Sequence, residues 1–471
     1  MSGMKKISLL LMASGIVLFS SCKKWLDVQP NSQVKESELF KTESGFKEAL
    51  AGTYTILTED ALYGKELTYG MMGVLSHEWA SFPAAYVDDG NYNYTVTATQ
   101  ARIDGIWSSM YKALSNANNI LENIEAHSVF SGDNYKIIKG EALALRAFIH
   151  FDLLRCFGAS YTVNASQPAI PYVTEYTAKQ TAQLSVGAVT EKILADLLAA
   201  KELLKVDPVF TGRVVSEQND NGYLMNRQLH LNYYAVEGLL ARLYLYMGNY
   251  EQARISAQAV VNSGKFSFST QANLIGGIDL CGAPEHLFAL QITNLSQSAV
   301  NYLSQEGSGV FSLNQGMLLS YYENTIDYRY LYWFVAGENA SANSSYLVKY
   351  TETDNDDSYY KNKLSVLKIA EMYYILAECD NNDHVSTLSH LNPVRKARGV
   401  EQLTIEPVDF RSYMTAEYRR EFIGEGQLFY YYKRLNRSVI PESDKDLVAL
   451  KAYIFPLPVS EMQAADRASN R

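Results

Sequence analysis

Cysteine and histidine are scarce in this chain of 471 residues, and each scarcity closes off a class of chemistry. There are four cysteines, and beyond Cys22 the remaining Cys156, Cys281 and Cys379 are odd in number and widely scattered, so neither a disulfide framework nor a CxxC metal site is implied. Cys156 and Cys379 fall within predicted helices and read as small buried apolar residues. Seven histidines stand singly, without HExxH or any paired spacing, which argues against a metal site, and no cofactor is expected. No GxSxG elbow, P-loop or GxGxxG is present, and Gly424-Glu425-Gly426 is too short to cradle a phosphate. No Lys/Arg run offers a phosphate track. The formal net charge is -10, and loss of a leader carrying Lys5 and Lys6 makes it -12, so nucleic acid is a poor partner.

Tyrosine is abundant instead. The 35 Tyr lift aromatic residues to 12%, giving flat apolar area with a polar tip that serves cores and also surfaces stacking sugars or peptides. Charged residues at 20% and hydrophobic ones at 47% describe an ordinary globular chain, long enough for one large core or two smaller ones.

The clearest local pattern lies at Asn232 to Gly264. Val236, Leu240, Leu243 and Met247 make one apolar stripe, Gly248 breaks it, and Tyr250, Ala253, Ala257 and Val260 make a second. Asn249 with Gln252 three residues on predicts an N-cap, and Gly264 a left-handed stop. Leu240, Ala241, Tyr244 and Ala253 match the tetratricopeptide pattern, with Ala257 and Lys265 at its later aromatic and proline positions. Ile369, Ala370 and Tyr373 repeat the spacing of Leu240, Ala241 and Tyr244. Antiparallel amphipathic helices in general also produce such coincidences.

Elsewhere, helices are predicted over 37–57, from Ile103 onward with Trp107, Tyr111, Leu114, Asn118 and Leu121 as a stripe, from Gly140 to Gly158, and after Ser185. Further helices are predicted over 364–377, 385–398 and 415–433. Two stretches lack helical period. Residues 62–101 hold Trp79, Phe82, Tyr86, Tyr92 and Tyr94 among Gly, Asn and Thr; residues 266–358 are punctuated by Gly276, Gly277, Gly282, Gly307, Gly309 and Gly316 and hold strand-like runs at 287–292 and 328–335 and a second aromatic cluster. Aromatics on loops are more often exposed, which makes Trp79, Tyr86, Tyr92, Tyr94, Tyr330 and Trp333 the candidate ligand-binding residues. Beside them His77 and Glu78 read as a solvated loop rather than an acid–base dyad. Asp354 to Asp357 could offer oxygen to calcium, yet lacks the glycine and final glutamate of an EF-hand, so a solvated turn is the better reading.

At the start, Lys5 and Lys6 precede an apolar run from Ile7 to Phe19, too short to span a bilayer and right for a signal peptide. Ser20, Ser21 and Cys22 then resemble a bacterial lipoprotein signal, with Cys22 lipidated after cleavage. This divides the chain into a leader at 1–21, a tether at 22–38 and one domain at 39–471.

Several stretches together resemble the SusD/RagB family of outer-membrane nutrient-binding lipoproteins of Bacteroidetes. They are Cys22 to Asp27 with Pro30, Trp107 to Ile124, Gly140 to Gly158, Leu240 to Val261, Asp327-Tyr-Arg329, Leu367 to Tyr373, Leu391 to Arg395 with Arg398-Gly399, Arg419-Arg-Glu421 with Glu425-Gly426 and Lys433-Arg434, and Phe455 to Pro458. Lys368 stands where the family usually has Arg, and Gly424 where an apolar ring is common. The resemblance implies a mostly α fold, with four tetratricopeptide-like helical pairs and a loop-rich lobe with a few short strands. It also implies a surface lipoprotein on the outer membrane, capping a SusC-like TonB-dependent transporter and capturing glycans or peptides without breaking bonds. Family ligand residues vary with substrate, so none is carried over by motif. A protein-interaction scaffold without a transport role is the reading from a different class.

Overall fold

The computed structural model describes residues 38–338, 343–351, 358–464 and 467–471. The leader, Cys22, the tether up to residue 37 and the acidic turn at 354–357 lie outside the described residues. The scaffold is helical, and its helices begin where side chains can satisfy free backbone N–H groups. Helix α1, Glu43–Leu57, is capped by Thr42, whose hydroxyl accepts from the Gly45 N–H at 3.1 Å. Helix α2 covers Thr97–Ile124 and α3 Asn134–Phe157. Helix α4, Val186–Leu203, is capped by Ser185; α5, Tyr233–Met247, by Asn232; and α6, Tyr250–Asn262, by Asn249. Gly248 (φ 74°) and Gly264 (φ 62°) follow α5 and α6 in the left-handed region, as expected.

Packing follows the apolar stripes. Helices α1 and α2, α3 and α4, and α5 and α6 lie against each other, α6 packs on α8 (Ile369–Cys379), and α8 pairs with α9 (His384–Ala397). These are the four helical pairs. Helix α3 contacts α1, α2 and α4 and is buried on nearly every side from Gly140 to Phe157, including the charged Glu141, Asp152 and Arg155, which are paired with other side chains. Buried apolar residues form one continuous cluster from Phe40 to Leu457.

The second lobe carries helix α7, Leu295–Leu303, and short antiparallel strands. Strand β1 (Pro168–Pro171) pairs with β2 (Gln183–Ser185) beside the scaffold. Strand β3 (His286–Gln291) pairs with β7 (Lys363–Lys368), and β4 (Leu313–Asn314), β5 (Phe334–Ala336) and β6 (Ser344–Leu347) form a sheet in the order β4-β6-β5.

Three local expectations are corrected. Residues 363–368 are the strand β7 that runs directly into α8, because their backbone pairs with β3 instead of coiling. Tyr328–Tyr332 is a helical turn, since the Asp327 carboxylate accepts from the Arg329 N–H at 2.9 Å and starts it; only 334–336 is strand. The tail helix over 415–433 is two helices, α10 (Phe410–Glu421) and α11 (Gln427–Arg434). Between them Gly424 and Gly426 take φ of 71° and 72°, which α-helix excludes.

Candidate functional site

The loop aromatics named from the sequence are not a surface. Trp79 is 4% exposed; its indole N–H donates to the Tyr69 carbonyl at 2.8 Å, and its ring meets Phe311. Buried Tyr86 donates its hydroxyl to Glu66 at 2.8 Å, beneath the Arg102 guanidinium at 4.3 Å. Tyr92 and Tyr94, also buried, donate to the carbonyls of Leu75 (2.9 Å) and Ala452 (2.6 Å). The correction has a simple cause: each polar tip finds a protein acceptor, so a tyrosine-rich loop can be buried without orphaned polar groups. Burial raises the hydroxyl pKa of Tyr86, Tyr92 and Tyr94 above the usual phenol range.

Glu78 is buried, not solvated. The Gly424 N–H donates to it at 3.1 Å, and burial pushes its carboxyl up to about 8. His77 turns away, Nδ1 lying 3.0 Å from the Glu442 carbonyl, so the two do not act together.

The second aromatic cluster sits on a buried network of charges. Arg329, 2% exposed, reaches Asp327 (2.7 Å), Glu417 (3.1 Å) and Glu421 (3.0 Å). Arg398 bridges Glu421 and Glu285, each at 2.6 Å. Lys368 joins Glu421 (3.2 Å) to Glu425 (2.8 Å), and Lys349 also pairs with Glu425. Burial alone would raise the Glu417 carboxyl, but Arg329 and Arg420 beside it hold it at about 2. Burial also lowers the Lys349 ammonium to about 8, although Glu425 opposes the shift. Trp333 covers this network. It is 5% exposed, with Lys349 at 4.2 Å, Lys368 at 5.8 Å and Arg398 at 5.9 Å from its ring centre. Its face is therefore occupied by the protein's own cations.

Tyr330 differs from the other five. It is half-buried, edge-on to Tyr322 at 5.9 Å, one residue beyond the anchored Arg329. Nearby Phe334 is also half-buried, 6.1 Å from Tyr322. The sheet continues past β4 through the Ser81–Ser312 bridge, so Ser81, β4, β6 and β5 make a ribbon about 14 Å wide at the usual strand spacing. Half-buried Phe82 and Tyr302 lie toward its other edge, Tyr302 under Lys65 at 5.2 Å. Gln305 ties the two edges together, accepting from the Glu338 N–H at 3.0 Å. Exposed Asn301, Gln305 and Gln315 lie in the same chain segments, while the register puts exposed Ser81 and Asn314 on the face opposite the one Phe334 shares with buried Leu313 and Leu347. These segments carry partly buried rings together with exposed neutral donors and acceptors, side-chain types that stack on an apolar sugar face and bond hydroxyls. They do not present a nucleophile paired with a base.

Sequence reading missed Tyr302, which lies outside the aromatic cluster at 321–334, and did not single out Phe82 among the loop aromatics. The usable signal was chain context: Phe82 precedes Pro83 and Tyr302 precedes a Gly/Ser turn, so neither ring is drawn inward by continuing regular structure. Among the described residues no cluster of three His, Cys, Asp or Glu side chains could hold a metal ion, and no helix is long and apolar enough to cross a membrane.

Comparison with known proteins bears on the family and the fold. Residues 24–245 match a SusD-like family model described as starch-binding and associating with the outer membrane, and residues 293–467 match the SusD/RagB family model. SusD-like protein P2 of Formosa agariphila is 23% identical over 279 residues, covering 56% of this chain and 49% of the relative. The chain thus matches about half the length of that relative. A SusD superfamily protein from Bacteroides thetaiotaomicron has a similar fold, with TM-score 0.72 and 22% identity over 91% of this chain and 100% of that one. A laminarin-binding SusD-like protein aligns with TM-score 0.67 and 17% identity over 91% and 99% of the two chains.

Proposed function

Because the chain belongs to the SusD/RagB family, we propose that it is a cell-surface lipoprotein that captures oligosaccharides and passes them to a SusC-like TonB-dependent transporter. Residues 39–471 act as one unit, held to the outer membrane through lipidated Cys22 and facing the cell exterior. The ligand binds at the margins of the ribbon, where Phe82, Tyr302, Tyr330 and Phe334 are only partly buried. Trp79, Tyr86, Tyr92, Tyr94 and Trp333 hold that surface in place from beneath. Capture breaks no bond.

The observation that carries this reading is that one lobe, anchored by buried ion pairs, carries both partly buried rings and exposed amides and hydroxyls. The laminarin-binding neighbour supports a glycan as ligand. Affinity electrophoresis of the purified protein through a panel of polysaccharides tests it. Retardation by at least one glycan, weakened in both Tyr302→Ala and Tyr330→Ala, is the expected result. Binding of oligopeptides with no glycan retardation would replace it with the peptide-uptake reading. Recovery from solubilised membranes without a β-barrel transporter would count against the hand-over step and for a scaffold.

A further inference from the structure

Between the scaffold and the end of the chain lies a cavity of about 410 Å³, to which the ribbon contributes no residue. One wall is α2, where Trp107, Tyr111 and Ser115 fall at i, i+4 and i+8 and so share a face over successive turns. The connection from β1 to β2 supplies the second, with Pro171 and residues 175–181. Glu461, on the short C-terminal helix Val459–Ala464, and Arg467 form the third. These walls are cross-linked. Tyr111 donates its hydroxyl to the Pro171 carbonyl at 2.9 Å, and Arg467 donates to the Thr181 carbonyl and to Glu461 Oε1, each at 2.7 Å. A site held open by such ties loses little freedom when a ligand enters.

Three polar groups on this lining are unspent. Trp107 is 8% exposed, wedged against Phe157 (4.8 Å) and Tyr111 (4.7 Å). Its indole N–H, unlike that of Trp79, meets no acceptor among the described residues, and water can reach it. A side chain so buried leaves a donor unpaired without cost only where water adjoins it, and the space that Trp107 lines is this cavity. The hydroxyl of half-buried Ser115 is likewise without a partner among the described residues. Arg467 engages Glu461 through Oε1 alone, by Nε at 2.7 Å and by a terminal nitrogen at 2.6 Å, which leaves Oε2 without a partner among the described residues. Net charge does not select a ligand here, because Glu175 and Glu461 are matched by Lys179 and Arg467.

We propose that this cavity is a second binding site, for a neutral sugar of two hexose rings. The Trp107 N–H donates to a hydroxyl of one ring, Ser115 bonds a hydroxyl of the next, and Glu461 Oε2 accepts from another, while an apolar ring face lies on half-buried Tyr111. A sugar hydroxyl both donates and accepts, which is what a donor, a hydroxyl and a carboxylate oxygen on one lining call for. Length agrees, since Trp107 and Ser115 are about 12 Å apart along the helix axis, more than a single ring bridges. The volume falls in the range of small-molecule sites, about 300–1,000 Å³. This site is independent of the ribbon and does not rest on the reading given for it.

The Trp107 indole N–H is itself the probe. In nitrogen-labelled NMR spectra of the full chain its signal is the one missing from Trp107→Phe, a variant that keeps an aromatic ring at the site. Titration with cellobiose, maltose, laminaribiose and lactose should shift that signal saturably for at least one of them, with glucose at least about tenfold weaker. Ser115→Ala should weaken the same binding about threefold to tenfold, the range for one uncharged hydrogen bond. The Ser115 hydroxyl bonds nothing in the free protein, so this variant folds, which a thermal melt verifies. Tyr302→Ala should leave the Trp107 shift as it is, whatever it does to polysaccharide retardation, so failure of the ribbon reading and failure of this one are told apart. The assignment is overturned if none of the disaccharides moves the signal, if glucose binds as tightly, or if Ser115→Ala has no effect. It is also overturned if trialanine moves the signal as far, which would make the ligand a peptide.

Discussion

Arg398 and Glu285 are 113 residues apart in sequence and meet as a doubly hydrogen-bonded pair, at 2.7 and 2.6 Å, with both side chains 3% exposed. One belongs to the end of the last helical pair, the other to the turn that leads into β3. Their contact joins scaffold to lobe, and Arg398 extends it to Glu421. Removing one member of such a group leaves the other charged and unpaired in a dry interior, which costs more than the intact pair contributes. Arg398→Ala is therefore expected to destabilise the protein by about 3–5 kcal/mol, and urea unfolding measures it. A loss below about 1 kcal/mol would show that water reaches Glu285 and Glu421.

Acid should attack the same network. Against burial, Arg329 and Arg420 hold Glu417 at about 2, and Arg398 and Lys368 hold Glu421 well below the usual carboxylate range. A carboxyl depressed in the folded state contributes stability fully present above its unfolded value near 4.5 and lost as pH falls through the folded value. Melting temperature should accordingly fall most steeply between about pH 4.5 and pH 2. A flat profile over that window would mean that the pairs do not persist in solution.

Glu78 has the opposite sign. Burial raises its carboxyl to about 8, so between about pH 4.5 and 8 the unfolded chain releases a proton that the folded chain keeps. Stability from this group declines as pH rises through that window and is lowest above 8. Glu78→Gln keeps an acceptor for the Gly424 N–H and removes the titration. The variant should gain on the parent as pH rises from 5 to 9, by about 1.4 kcal/mol for each tenfold difference in proton affinity. Parallel profiles for variant and parent would overturn the assignment.

Much of the scaffold was legible because its signals are local. Ser185 and Asn249 cap α4 and α6, and Gly248 and Gly264 follow α5 and α6 in left-handed conformation, because each choice is decided within one turn. The strand β7 was illegible from its own residues, since its partner β3 lies more than 70 residues away. The ribbon was harder still. Trp79, Tyr86, Tyr92 and Tyr94 have the loop context of exposed rings, and only distant acceptors such as the Ala452 carbonyl explain their burial. Arg329 and Glu417 read as surface charges until folding brings them together across 88 positions. Of the six rings named as ligand contacts, Tyr330 alone is not fully buried.

The turn between α10 and α11 tolerates little. At Gly426, with φ of 72°, an added Cβ would fall inside contact distance of the Leu67 carbonyl oxygen, and next to it stands the backbone of Thr68. The obstacle is backbone, which cannot swing aside as a side chain would. Gly426→Ala combines the left-handed penalty of about 1 kcal/mol with that collision. The expected outcome is loss of soluble protein, or a melting temperature lowered by more than about 10 °C. Gly52→Ala, at a helical position where nothing lies within 4 Å, is the matched control and should be neutral or mildly stabilising.

The division between supporting and contacting rings predicts two separable phenotypes. Trp79 is buried against Phe311 with its indole N–H bonded to the Tyr69 carbonyl, so Trp79→Ala removes packing and leaves an acceptor unmet. It should cost about 3–5 kcal/mol of stability, the range for emptying a large core site. Tyr302 and Tyr330 are half-buried; truncating either should cost about 1 kcal/mol or less of stability yet weaken glycan retardation severalfold, as loss of a stacking face does. Measuring unfolding and retardation on all three variants checks the division. If Trp79→Ala abolished retardation while its unfolding curve matched the parent, the ring would be contacting ligand directly, and the surface would have to open toward the core to reach it.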